Sequence, residues 1–223
     1  MALTNRPIDL RTPLGWRSAF AFPLQTEESR KEIFVGAALL LVPIIGWLLN
    51  MGHRIQTVHN MQTGAPPWPA WRDYRRLLKY GTVAFLGMLQ YHLPAIVVGI
   101  IAWRNRSIAL GIVAITLAIL AMVAVPGFMS HYCLRFDPTE VFNPVKALRR
   151  VATGGRAYWH AWLIALAALG VSFLGVLALG VGFLVTSVWF WQVAGFSFAT
   201  VFSQRFNLHV TRQAVLTSRA TLR

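Results

Sequence analysis

The 223-residue sequence predicts an all-α fold: a polytopic transmembrane helical bundle with four full spans plus one kinked or re-entrant apolar helix, and interfacial amphipathic helices. Three observations carry this reading. Hydrophobic residues make up 56% and charged residues 13%, against roughly 45–50% and about 25% in soluble domains, so seven acidic and 21 basic side chains cannot clothe a water-facing surface. Long uncharged runs have lengths that suit a hydrocarbon core of about 30 Å crossed at about 1.5 Å per residue. No sustained period-two alternation in segments of about ten residues is present, which argues against a transmembrane β-barrel.

In chain order, residues 1–32 form an N-terminal cytoplasmic or interfacial segment. Arg6, Asp9, Arg11 and Arg17 are scattered through it and leave no apolar core of the kind a cleavable signal needs, so the mature protein is expected to begin near Met1. A transmembrane domain is expected over 33–203 and a basic tail over 204–223. Its first apolar run, Ile33 to Leu49, is 17 residues long and carries Pro43 and Gly46, so it either spans or dips in and returns. Counting Lys and Arg arbitrates. A spanning run puts 14 basic residues on one side against 7, whereas a re-entrant run puts 19 against 2, the stronger positive-inside bias. A non-helical turn at membrane depth must be covered by protein, which is the cost of that reading.

Trp47 to Met61 places Trp47, Met51, Ile55 and Val58 at helical spacing and is expected to run along the headgroups. Gly64 to Pro69 reads as a stiff extended link, with Trp68, Trp71 and Tyr74 as interfacial anchors. Tyr80 to Trp103 and Ser107 to Val125 hold 24 and 19 residues and are separated by Arg104, Asn105 and Arg106, which makes a helical hairpin. Asp137-Pro-Thr-Glu140 reads as a capping box. Asn143-Pro144 and Gly154-Gly155 bound a short interfacial helix, with Val145, Leu148 and Ala152 on one face and Lys146, Arg149 and Arg150 on another. Tyr158 to Phe202 is 45 residues long, enough for two spans turning near Gly180-Val181-Gly182.

Several of these residues carry a resemblance. Phe22-Pro23, Pro43-x-x-Gly46, Gly64 with Pro67-x-Pro69, and Phe142-x-x-Val145-x-Ala147-Leu148 before Tyr158 resemble the polytopic membrane family catalogued as domain of unknown function 4013, with Gly46-Trp47 here where the family often has Gly-Tyr. The resemblance implies an uncharacterised integral membrane protein and transfers no catalytic residue.

Candidate sites are few. The carboxylates are scattered, and Gly195-Phe-Ser197-Phe-Ala199 lies inside an apolar span, not on a strand-turn-helix, so no enzyme is expected. His53 and His59 fall on different faces of a helix, which makes a zinc pair improbable, and the lone Cys133 precludes an internal disulfide or a cysteine-rich metal site. His131, His160 and His209 sit at span ends, where histidine is ordinary. His92 stands out: it is near mid-span beside Gln90, and Gln192 is at similar depth. A structural His92–Gln192 hydrogen bond is expected, the alternatives being a proton-linked transport site or an axial ligand to a tetrapyrrole metal. No cofactor is expected otherwise.

Lys146, Arg149, Arg150, Arg72, Arg75 and Arg76 are candidate contacts to anionic lipid headgroups. Two small-residue stripes, Gly111, Ala114, Ala118 and Ala121, and Ala161, Ala165, Ala168, Ser172 and Gly175, are candidate helix-packing faces. The basic residues sit between apolar runs, which points to membrane loops and away from nucleic acid. The expectation is a multi-pass protein of the inner (plasma) membrane with basic loops facing the cytoplasm. Its expected role is that of a non-enzymatic scaffold or accessory subunit contacting lipids, a partner membrane protein or further copies of itself. A small transporter or channel around His92 and Gln192, with Pro43 and Pro126 marking broken helices, is the alternative.

Overall fold

The computed structural model describes residues 7–178 and 180–208; His209 and the tail arginines Arg212, Arg219 and Arg223 lie outside the described residues. Seven α-helices follow one another: α1 (Trp16–Ala21), α2 (Glu27–Leu39), α3 (Ile45–Gln62), α4 (Tyr74–Asn105), α5 (Ile108–Arg135), α6 (Pro144–Ser172) and α7 (Val181–Phe206). There is no strand among the described residues. α4, α5, the stretch Pro144–Leu177 and α7 are long and apolar enough to cross a membrane, so the chain is a multi-pass membrane protein.

The first apolar run folds back on itself. α2 starts with Thr26 accepting from Ser29 N at 3.0 Å, and Glu27 and Glu28 sit at the positive end of its dipole. It ends at Leu39, and Ile45 N donates to Pro43 O at 2.6 Å across Ile44, whose φ of 64° and ψ of −64° form the strained type of γ-turn. α3 then returns against α2. A Cβ on Gly46 would lie 1.7 Å from Leu39 O, so only glycine fits where the arms meet. Asn50 Nδ2 ties the arms by donating to Gly36 O at 3.0 Å and Gly46 O at 2.9 Å. The run 33–49 is thus a helical hairpin, the folded-back alternative that its charge balance favours. Its tip is bare: Leu41 is 69% exposed and Ile44 67%.

The expectation that 47–61 lies along the headgroups is corrected. α3 is the return arm, burying His53, Ile55, Val58 and Met61 against α4 and α7. It meets α4 backbone to backbone, since a Cβ on Gly52 would reach Leu77 O at 1.9 Å and one on Gly81 would reach Leu48 O at 1.8 Å. Trp68 and Trp71 are likewise not surface anchors: Trp68 is buried and Trp71 half-buried, while Tyr74 is exposed.

α4 and α5 form the expected hairpin, with Arg106 left-handed at the C-cap of α4 and the Ser107 side chain accepting from Leu110 N. Pro126 does not end α5, which runs on to Arg135, so this proline marks no broken helix. Asp137 caps the one-turn 3₁₀ helix Pro138–Glu140 as expected, but Glu140 does not reach back to it. Asn143 caps α6 by accepting from Lys146 N at 2.9 Å. Gly155, at φ 56° and ψ −142°, breaks α6 into the predicted short helix and the span that follows. α6 and α7 turn at Gly180 and pack through the second stripe: Ala161, Ala165, Ala168, Ser172 and Gly175 are all buried, and Thr186 Oγ1 donates to Ser172 O at 2.7 Å. The first stripe is less uniform. Ala121 is buried and Ala114 approaches Gly99 of α4, but a Cβ on Gly111 would touch nothing within 4 Å, so that end of the stripe is unpacked within the chain.

Candidate functional site

The hairpin brings together two polar residues that are far apart in sequence. Glu32, on the first arm, places Oε2 2.6 Å from His53 Nε2 on the second, with side chains only 6% and 2% exposed. The other carboxylate oxygen accepts from Ala70 N at 2.6 Å and Trp71 N at 3.4 Å, and Trp71 Nε1 donates to Glu32 O at 3.1 Å. Trp71 stacks on the imidazole at 4.1 Å between centroids, and Trp68 lies nearly parallel to it at 6.2 Å. A buried carboxylate is tolerable only with such a complete set of donors. Here it pins three elements, α2, α3 and the 63–73 link, to one another. Taken with His59 alone, His53 looks ordinary. The signal that finds it is Pro43 as a turn, because Glu32 and His53 then stand at nearly equal distances on either side of it.

Near this pair, whose Ala70 partner also lines it, is a half-open cleft of about 430 Å³. Gln56 and Asn60 of α3 form one wall, Pro66, Trp68, Pro69 and Ala70 of the link another, and Arg72, Asp73 and Arg76 its edge. Gln56 Nε2 donates to Asn60 Oδ1 at 2.8 Å and Asn60 Nδ2 to Pro67 O at 3.2 Å, which fixes both amides. Asp73 caps α4 by accepting from Arg76 N and lies 3.1 Å from Arg76 Nε.

A second polar cluster joins α4, α5 and α6. Arg150 turns inward and donates to Glu140, with Lys146 Nζ 3.7 Å from the same carboxylate. Burial opposes ionisation of Glu140, but the Arg150 hydrogen bond and the Arg150 and Lys146 charges outweigh it and hold the carboxyl below its ordinary value of 4.5. Tyr91 Oη, His131 Nδ1 and Arg150 Nη1 have no hydrogen-bond partner among the described residues. Of the six proposed headgroup cations, Arg150 therefore faces inward, Arg76 is exposed but paired with Asp73, Lys146 is exposed with Nζ near Glu140, and Arg72, Arg75 and Arg149 are exposed.

The predicted His92–Gln192 hydrogen bond does not form. His92 Nδ1 donates to Met88 O of its own helix at 2.8 Å, satisfying the ring locally. Gln90 is exposed, and Gln192 is buried with both amide atoms unpartnered among the described residues. α4 has no extended packing against α7, so nothing brings these side chains together. No cluster of three His, Cys, Asp or Glu that could hold a metal occurs among the described residues.

A family model described as "Protein of unknown function (DUF4013)" matches residues 35–182, more than half of the chain. The match covers His53 and the cleft and begins just after Glu32. No curated protein and no solved structure matches the chain.

Proposed function

The chain belongs to this family of proteins of unknown function, and from that premise and its membrane-spanning helices we propose that it acts as a non-enzymatic scaffold or accessory subunit of a membrane complex, with lipids and partner helices as its ligands. One observation carries the reading: the α4–α5 hairpin is left largely bare by the rest of the chain. Only 11% of the most apolar stretch of α5 and 17% of that of α4 is buried, against 50% in α7. α4 packs on α3 and α5 alone to any extent, and the outer half of α5 presents Ile108, Ile112, Ile115 and Ile119 outward. A second bare flank lies on α7, where Trp191 is 48% exposed beneath the Arg54 guanidinium, 4.6 Å from the ring centroid. Its neighbour Trp189 is instead half-buried against Phe20. His92 and Gln192, the pair expected to line a transport site, stand apart, so that alternative has no shared polar site to build on here. Exposed Arg72, Arg75 and Arg149 suit anionic headgroups on the cytoplasmic face of an inner membrane, the orientation that the basic excess favours.

A photo-crosslinking residue placed at Ile112 or Ile115 in native membranes should give a discrete protein adduct, and one placed at buried Ile164 should give none. Lipid adducts alone from every α5 position, together with solute flux in vesicles reconstituted with the pure protein, would overturn the reading.

A further inference from the structure

The cleft beside the Glu32–His53 pair has the chemistry of a binding site, which the headgroup contacts expected of loose surface arginines do not require. Its volume of about 430 Å³ falls within the range of roughly 300–1,000 Å³ common to small-ligand pockets. One wall is rigid and apolar, made by Pro66, Trp68 and Pro69. The lining also carries two amides already oriented by their own hydrogen bonds, so they meet a ligand without first being ordered.

The charge at the edge is unbalanced. Arg76 is neutralised by Asp73, but Arg72 has no carboxylate partner among the described residues. A guanidinium presents a planar fork that matches the oxygens of an oxyanion. The cleft also takes in the N-cap and first turn of α4, through Asp73, Arg76 and Leu77, where the chain enters the first of its long apolar helices. Phosphate is the oxyanion concentrated at that height in a bilayer.

We propose that this cleft binds one phosphate-bearing group, with Arg72 on the phosphate and Gln56 and Asn60 hydrogen-bonding the polar substituent it carries. The phosphate belongs either to a membrane phospholipid or to a soluble phosphate ester or inorganic phosphate. This rests on the placement of α4 in a membrane and not on the subunit role, so crosslinking from α5 can fail while the cleft binds, and the reverse.

Native mass spectrometry of the full chain in detergent tests it, with phosphatidylglycerol, diacylglycerol of the same acyl chains and inorganic phosphate as probes. Phosphatidylglycerol is expected to give one retained adduct where diacylglycerol gives none. Arg72→Gln should weaken that retention about tenfold, as expected for loss of a charge-assisted hydrogen bond. Arg149→Gln, on the exposed face of α6, should leave it unchanged. A soluble source is indicated if inorganic phosphate binds to the wild type, fails with Arg72→Gln, and the lipid is not retained. Equal retention of diacylglycerol, equal weakening by Arg149→Gln, or no adduct with either phosphate probe would each overturn the proposal.

Discussion

Glu32 and His53 share one hydrogen bond at 2.6 Å with almost no solvent around either, so removing one partner strands the other in the protein interior. Breaking such a pair costs about 3–5 kcal/mol. His53→Leu is therefore expected to lower the thermal midpoint in detergent sharply. Glu32→Gln should cost less, because its amide oxygen still accepts from Ala70 N. In a double-mutant cycle the two losses should be strongly non-additive; additive losses would mean that the pair does not act as a unit. Glu140 gives a pH-dependent counterpart. Its folded carboxyl ionises below its ordinary 4.5, so the charged form contributes stability above that pH, and the contribution is lost as pH falls through the lower folded value. Glu140→Gln should remove about 1.5–3 kcal/mol near neutral pH and flatten the acid limb of the stability profile. An unchanged acid limb would place the titration elsewhere. In the sequence Glu32 and His53 are marked only by the turn at Pro43, and Glu140 is marked as part of a capping box, not as the partner of Arg150. Glu32 and Glu140 gain their roles from partners 21 and 10 positions away, whereas His92, which looked exceptional, is satisfied by a carbonyl four residues back.

At the scale of elements, punctuation was legible and tertiary pull was not. The cap at Asn143, the break at Gly155 and the turn at Gly180 lie where their chemistry predicts, because a cap is satisfied within one turn of backbone. Pro126 is absorbed because a helix packed among others tolerates the lost hydrogen bond. Trp68 and Trp71 are drawn inward by the Glu32 carboxylate and the His53 ring, a pull invisible to any rule about interfacial aromatics. Glycines separate packed from open faces sharply. Gly46→Ala and Gly81→Ala would push a Cβ to 1.7 and 1.8 Å from backbone oxygens, so helix and hairpin must move apart; both are expected to lose the folded protein in detergent chromatography. Gly111→Ala meets nothing within 4 Å and should be neutral or add up to about 1 kcal/mol through helix propensity. Ala165→Leu and Ala168→Leu, on the buried stripe, should destabilise by about 1–3 kcal/mol each through overpacking. Equal tolerance at Gly46 and Gly111 would contradict the folded-back hairpin.

For the whole molecule, the fold-back of α2 and α3 decides how charge is distributed about the membrane. A hairpin that leaves by the end it entered adds no crossing, so four spans would return the last described residues to the side of the first. Gln204, near the end of α7, accordingly donates through Nε2 to Leu10 O at 3.1 Å and Thr12 O at 2.6 Å, binding the two ends of the described chain together. With that parity 15 of the 17 basic residues among the described ones would share one side, opposite Arg104 and Arg106. The folded-back hairpin is the arrangement that the positive-inside count favours, so its sidedness can be tested directly. A fluorescent reporter that matures only in the cytoplasm should light at both termini, and an export-dependent reporter fused after Arg106 should be active there alone. Opposite signals from the two termini would require the Ile33–Leu49 run to cross the membrane. The Glu32–His53 contact would then have to open, because it holds the two arms side by side at one end of the hairpin.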